Sequence, residues 1–273
     1  MGEQKRMPSM FPSPEERARL AAESARKAAK RAEDPEGYDL NQLKIKALDG
    51  DAASQYFLGW AYFDGKGVPK DDARAVEWWE KSESGQQRNP RMGTLTKYML
   101  GRMYRDGKGV PKDETKAADW FEKAANQGDA GAQVDLGIMY YEGKGVPKSQ
   151  AAAFQWFGKA AIQGDAFAQQ ILGYMCEHGE GTPKNDTKAV EWYQKSAAGG
   201  DADAQNKLAS RYAAGAGVPK DLVIAYAWLN IAAASGDPKV LKQRDEFEKQ
   251  LTTEQKANGE KLAVDFFART RKK

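Results

Sequence analysis

The chain has 273 residues, 41% hydrophobic and 10% aromatic, enough to build a buried core. Its 42 Lys and Arg against 39 Asp and Glu leave a formal charge of +3, without the basic excess expected of a nucleic-acid binder. A single cysteine, Cys176, excludes an intramolecular disulfide and with it the stapled small secreted folds.

The opening residues hold no continuous apolar run suited to a signal-peptide core, and no later stretch is apolar enough to span a bilayer. The expectation is a soluble protein, periplasmic if a leader has been removed and cytoplasmic otherwise. Pro14 to Glu33 reads as a helix in which Ser13 is the N-cap, Pro14 opens the first turn and Glu16 completes a capping box. Its basic residues alternate with Glu15, Glu16, Glu23 and Glu33, which predicts a solvated face rather than a membrane-binding one.

A repeat then takes over. Gly65-Lys-Gly-Val-Pro69 recurs from Gly107, Gly143, Gly179 (as Gly-Glu-Gly-Thr-Pro) and Gly215 (as Gly-Ala-Gly-Val-Pro), at intervals of 42, 36, 36 and 36 residues. The excess in the first interval is placed in Gln86 to Gly93 and predicts a loop. Apolar residues on either side of each turn keep helical spacing, so each unit predicts two helices. The first carries Leu58, Gly59 and Tyr62, repeated at 100, 101, 104 and at 136, 137, 140, and more loosely as Leu172, Gly173, Cys176 and Leu208, Ala209, Tyr212. The small middle residue predicts a close helix approach.

The second helix opens on Asp71, Asp113, Ser149, Asn185 or Asp221, all good N-caps. Four residues later comes Ala75, Ala117, Ala153, Ala189 or Ala225, then Trp78, Trp120, Trp156, Trp192 or Trp228. Alanine and tryptophan share a helix face, which predicts a buried tryptophan ladder with Trp156 in the core. The following residue, Trp79, Phe121, Phe157, Tyr193 or Leu229, widens the stripe, and Gly-Asp pairs from Gly128, Gly164, Gly200 and Gly236 end the units. Two further helices are predicted, Pro238 to Gln250 and Thr253 to Thr270, with Thr252 and Gln255 as a capping box and a solvated basic tail after them.

A hairpin this small cannot bury its own stripe, so neighbours must cover it and a superhelical stack follows. The pattern Ala-x-x-x-Leu-Gly-x-x-Tyr-x-x-Gly-x-Gly-Val-Pro followed by a cap, Ala, Trp-Phe and Lys-Ala-Ala, as in Ala132 to Gly164, resembles the Sel-one-like repeat family, a branch of the tetratricopeptide-like helical repeats. The resemblance covers about residues 50 to 237 and departs at Gln86 to Gly93, Cys176 and Ala209. It implies an all-α fold, a right-handed α/α superhelix (solenoid) of five helix-turn-helix repeats with terminal capping helices. The expected division is a tail with capping helices (1–49), the repeats (50–237), and C-terminal capping helices with a basic tail (238–273).

Few residues invite catalysis. A Ser-His-Asp or Cys-His site would need His178, the single histidine, and Cys176 two residues away points to another side of the helix. Cys176, Glu177, His178 and Glu180 lack a recognised metal-ligand spacing, and the Gly-Lys-Gly turns do not match a phosphate loop. Lysines 66, 108 and 144, with 70, 112, 148, 184 and 220, predict a basic row along the turns, solvated rather than nucleic-acid-binding because acids lie nearby. No cofactor and no metal are expected.

The family resemblance implies a protein-binding function, held in no catalytic, membrane or nucleic-acid module. The leading specific expectation is a bacterial immunity protein that neutralises a secretion-system toxin; the alternatives are a regulatory or envelope-assembly adaptor and, in a different class, an enzyme acting on cell-wall or β-lactam compounds. In a superhelix the first helices line the concave side, so the residues turned away from the second helices form the expected binding surface. They are Tyr56, Trp60, Phe63, Tyr98, Arg102, Arg105, Ile138, Tyr141, Phe167, Tyr174 and Glu177, an aromatic set with arginines of the kind that carries binding energy. Trp60, Arg102, Tyr141 and Tyr174 lead it, whereas Tyr56 and Tyr98 also suit packing between adjacent first helices.

Overall fold

The structure is a computed structural model that describes residues 40–84 and 90–270. The described residues form thirteen α-helices and no strand: α1 (Leu40–Leu48), α2 (Ala52–Asp64), α3 (Asp72–Ser84), α4 (Pro90–Asp106), α5 (Glu114–Asn126), α6 (Ala130–Glu142), α7 (Gln150–Ile162), α8 (Ala166–His178), α9 (Asp186–Ala198), α10 (Ala202–Ala214), α11 (Leu222–Ala233), α12 (Pro238–Glu248) and α13 (Thr253–Thr270). The helix predicted over 14–33, residues 85–89, which include the first four of the insertion, and the last three residues lie outside the described residues. The chain divides into two compact units, Met1–Ala132 and Gln133–Lys273.

Each repeat is a helix pair closed by its own sequence. Every second helix starts one residue after its expected cap, which accepts the amide of the third residue beyond: Arg74 to Asp71 at 3.0 Å, Lys116 to Asp113 at 2.9 Å, Ala152 to Ser149 at 3.2 Å, Lys188 to Asn185 at 2.9 Å and Ile224 to Asp221 at 2.9 Å. Each such cap is worth about 1 kcal/mol. The cap's own amide donates back across the turn to the first helix, for example Asp113 to the Tyr104 carbonyl at 2.9 Å and Asn185 to the Cys176 carbonyl at 2.8 Å. Because that bond is made by backbone, Cys176 replaces tyrosine without disturbing the turn.

The two turn glycines have different tasks. Gly179 ends α8 in the left-handed conformation with φ 74°, the usual use of glycine at a helix C-terminus. Gly181, also at positive φ, abuts the preceding repeat, and a Cβ on it would lie 2.2 Å from the Gln150 carbonyl oxygen at the start of α7. The space beside Gly181 is thus filled by the backbone of the preceding repeat.

The first-helix glycine receives an aromatic ring from the second helix of its own repeat. A Cβ on Gly59 would lie 2.5 Å from Trp79, on Gly101 2.6 Å from Phe121, on Gly137 2.9 Å from Phe157 and on Gly173 2.6 Å from Tyr193. These four rings are fully buried. The fifth repeat has Ala209 and Leu229 at the two positions, both buried.

This arrangement corrects the expected tryptophan ladder. Trp78, Trp120, Trp156, Trp192 and Trp228 are only partly buried, and the residue after each is the core residue. One helix turn on from the first four, a lysine covers the exposed indole: Lys81, Lys123, Lys159 and Lys195 place Nζ 4.5, 4.1, 3.6 and 4.0 Å from the ring centroids. The reason is angular. The buried arc is centred on the Ala and the large residue four positions later, leaving the tryptophan at its rim. At Trp228 the lysine position is Ile231, and Phe266 of α13 stacks on the indole with centroids 5.0 Å apart.

The ends extend the same logic. After α1, Gly50 has φ 90° and Asp51 caps α2, as Gly164 and Asp165 do between α7 and α8. Gln55 Nε2 donates to the Ala47 carbonyl at 3.0 Å just as Gln169 donates to Ala161 at 3.0 Å, so α1 holds the place of a preceding second helix. The insertion is partly helical rather than a loop. With Pro90 as its first residue, α4 runs to 17 residues where the other first helices have 13. At the other end Thr252 and Gln255 exchange the two bonds of the predicted capping box, at 2.9 and 3.2 Å.

Candidate functional site

The predicted surface residues separate into buried and accessible sets. In the first unit Tyr56 is 3% exposed, with its ring edge-on to Trp60 at 6.3 Å, and burial pushes its phenol up to about 12. Tyr98 packs on Phe121 at 5.8 Å, and the Arg102 guanidinium lies 5.9 Å from the Tyr98 ring. In the second unit Ile138 is 2% exposed. Tyr56, Tyr98, Arg102 and Ile138 therefore offer no open area, which corrects their place in the expected surface: these helix faces pack within the chain instead of standing free.

Partly accessible positions remain in each unit. Trp60 and Phe63 belong to an aromatic cluster, 5.6 Å from each other and 5.4 and 5.6 Å respectively from Trp79. Arg105 is tied to its neighbour, Nε to Asp106 Oδ1 at 2.8 Å, and lies over Phe121 at 5.7 Å. In the second unit Tyr141, Phe167, Tyr174 and Glu177 are partly accessible. The Tyr141 hydroxyl donates to Glu180 Oε2 at 2.7 Å. Tyr174 stacks on His178 with centroids 4.1 Å apart, and His178 Nδ1–H donates to the Tyr174 carbonyl at 3.0 Å.

Around Glu177 the structure assembles a network that residue-by-residue reading missed. The Tyr193 hydroxyl donates to Glu177 Oε2 at 2.7 Å, Arg211 pairs with the same carboxylate, and Arg211 Nη1 reaches Asp186 Oδ1 at 3.1 Å. The signal lay in comparing repeats. Glu177 stands where other repeats have Phe63, Arg105 and Tyr141, and Arg211 stands where they have Met103, Met139 and Met175. Two departures of opposite charge in successive repeats are the mark of a pair.

The other chemical candidates fall into structural places. Cys176 is buried and burial pushes its thiol up, the opposite of an activated nucleophile. Among the described residues no group of three or more His, Cys, Asp and Glu side chains comes together to hold a metal ion. Turn lysines are interleaved with acids: Lys70 with Asp72 at 3.9 Å, Lys112 with Glu114 at 2.8 Å, Lys144 with Glu142 at 2.9 Å and Lys184 with Asp186 at 3.9 Å. No described helix is long and apolar enough to cross a membrane.

Burial, followed by the Glu80 hydrogen bond, holds the Tyr104 phenol up at about 12, and burial with the Glu177 bond pushes Tyr193 up further. A raised phenol keeps its proton in the folded chain while the unfolded chain ionises near 10, so stability is complete below pH 10 and is lost as pH rises through the folded values. Each of Tyr56 and Tyr104 contributes a loss of about 1.4 kcal/mol per pH unit between about 10 and 12. Urea midpoints at pH 8 and pH 11 measure it; equal midpoints would contradict the assignment.

A succession of hairpins, the first four closed by a first-helix glycine against an aromatic ring of the second helix and the fifth with Ala209 and Leu229 at those positions, defines a helical-repeat protein. Sel1 repeat models match residues 52–84, 96–129, 130–165, 166–201 and 202–237, and the chain belongs to that family. A protective antigen of uropathogenic Escherichia coli with an SLR fold is 28% identical over 96% of this chain, with a TM-score of 0.72. The match covers 56% of that antigen, so this chain spans little more than half its length. A Sel1 repeat protein of Oxalobacter formigenes is 30% identical over 82% of this chain and 87% of its own, with a TM-score of 0.67. An immunity protein of Pseudomonas aeruginosa matches at 23% identity over 90% of this chain and 84% of its own, with a TM-score of 0.38. No curated protein sequence matches the chain significantly.

Proposed function

We propose that this chain is a non-enzymatic scaffold that holds one partner protein on the first-helix surface, and that the partner is a secreted bacterial toxin which it neutralises. The observation that carries the binding reading is that Trp60, Phe63, Phe167 and Tyr174 remain partly accessible after the aromatic demand of the core has been met by Trp79, Phe121, Phe157 and Tyr193. Rigid aromatics at a protein surface are the residues that most often dominate association. The immunity reading adds that the described helices are all occupied in building and ending the stack, which suits a chain whose task is to occlude a partner.

The test starts with affinity capture from the source bacterium. Trp60, Phe63, Phe167 and Tyr174 are then changed singly to alanine, folding is checked by circular dichroism, and affinity for the captured partner is measured by calorimetry. At least one variant is expected to lose about 2 kcal/mol, roughly thirtyfold in Kd. Wild-type affinity in all four removes this surface from the reading. Immunity is tested apart from binding: the captured partner expressed alone must be toxic and must be tolerated when this chain is co-expressed.

A further inference from the structure

The second helices of the five repeats act as controls for one another. On the side opposite the buried arc, two positions three residues apart hold Glu77 and Glu80 in α3, Asp119 and Glu122 in α5, and Glu191 and Gln194 in α9, all six exposed. Two second helices carry no acid anywhere: α7, where the positions are Gln155 and Gly158, and α11, where they are Ala227 and Asn230.

In α11 the reason is visible, because the terminal helix α13 lies on that side. Ala227 and Ile231 are buried against Ala263, with Leu262 and Phe266 packed on the same cluster. Gly259 of α13 comes so close that a Cβ on it would lie 2.7 Å from the Tyr226 ring. An acid under such a helix would be taken from water unpaired, so a neutral side belongs with a covering helix.

The neutral side of α7 stands open. Ala151, Gln155 and Ile162 are exposed, Ile162 by 82%, and a Cβ on Gly158 would meet no described atom within 4 Å. Lys159, the one charge of the helix, lies at the rim with Nζ drawn back over Trp156. Glycine weakens a helix interior, and at Gly158 no contact among the described residues offsets that loss.

We infer that this side of α7 is the contact between two copies of the chain, their α7 helices packed antiparallel about a two-fold axis. A two-fold axis requires a patch to be its own complement. With the axis passing midway between Gln155 and Gly158, Ile162 of one copy lies level with Ala151 of the other, large against small. Gln155 lies level with Gly158, whose missing side chain leaves room for the approach. The same pairing in α3 would set Glu77 against Glu80, and in α5 Asp119 against Glu122, acid on acid and therefore repulsive. Among the second helices without a covering helix, α7 is the one from which both acids are gone. The contact lies on a second helix whereas the proposed partner surface lies on first helices, so the two readings stand or fall separately.

Sedimentation velocity of the full chain from about 1 μM to about 1 mM tests the pairing, since a contact of one helix from each copy is small and associates weakly. The mean mass is expected to rise from monomer toward dimer across that range. Gly158→Glu gives α7 the acid that α3 and α5 carry at this position, so it suits the fold; it should weaken association at least tenfold without lowering the urea midpoint. Adding Gln155→Lys to it sets opposite charges level across the pair and should restore association. Glu77→Gln on α3 should change nothing. A wild-type monomer at every concentration, undiminished association in Gly158→Glu, an equal loss in Glu77→Gln, or a double variant that does not recover would overturn the assignment. If the chain stays monomeric while Gly158→Glu weakens binding of the captured partner, this side of α7 belongs to the partner polypeptide and not to a second copy.

Discussion

Truncating Phe157 to alanine is expected to lower the unfolding free energy by about 3–5 kcal/mol, whereas the same change at the adjacent Trp156 should cost less than half as much. Phe157 is fully buried, and its ring fills the space over Gly137. Trp156 is larger, yet it keeps one face at the surface beneath Lys159 Nζ, 3.6 Å from its centroid. An exposed cation–π contact contributes only about 0.5–1 kcal/mol. Chemical denaturation of both purified variants decides the order, and a larger loss at Trp156 would return the tryptophan to the core.

Gly101→Ala should destabilise by about 1–3 kcal/mol even though alanine is the better helix former, because the added methyl would lie 2.6 Å from Phe121 inside a close-packed seam. The fifth repeat suggests the remedy, with Ala209 paired in sequence position to Leu229 instead of an aromatic ring. Adding Phe121→Leu to Gly101→Ala is therefore expected to recover part of the loss, so that the double variant is more stable than the sum of the singles. Strict additivity in this double-mutant cycle would mean that the glycine serves the helix approach in general and not this ring.

Much of the fold was legible because the repeat supplied five readings of each position. Turn, cap, glycine and helix-end residues all stand where the periodicity places them, since each performs a backbone task that few residue types can perform. The tryptophan position misled because helical spacing defines a face but not how far burial extends around it, and lysine three residues on reads as ordinary solvated charge until its stem is seen lying on the indole. The surface was less legible. Helical geometry turned Tyr56, Tyr98, Arg102 and Ile138 away from the second helices, but it could not show that other parts of the chain would cover them. Glu177, Tyr193 and Arg211 were obscured for another reason: their pairing spans two repeats, and only contrast between repeats reveals it.

The glycine and the ring that fills its space always belong to the same repeat, from Gly59 and Trp79 to Gly173 and Tyr193. Each of the first four hairpins thus carries both halves of its own lock, and a whole hairpin can be gained or lost at a Gly-Asp joint with its glycine–ring contact intact. Copy number becomes a variable that duplication can tune, adding helix pairs in fixed increments while sequence at the surface is free to diverge. The Glu177–Arg211 pair is a tie across such a joint: once it is in place, removing the fourth hairpin leaves Arg211 a charge without its carboxylate, and this stretch of the array is no longer free to change length.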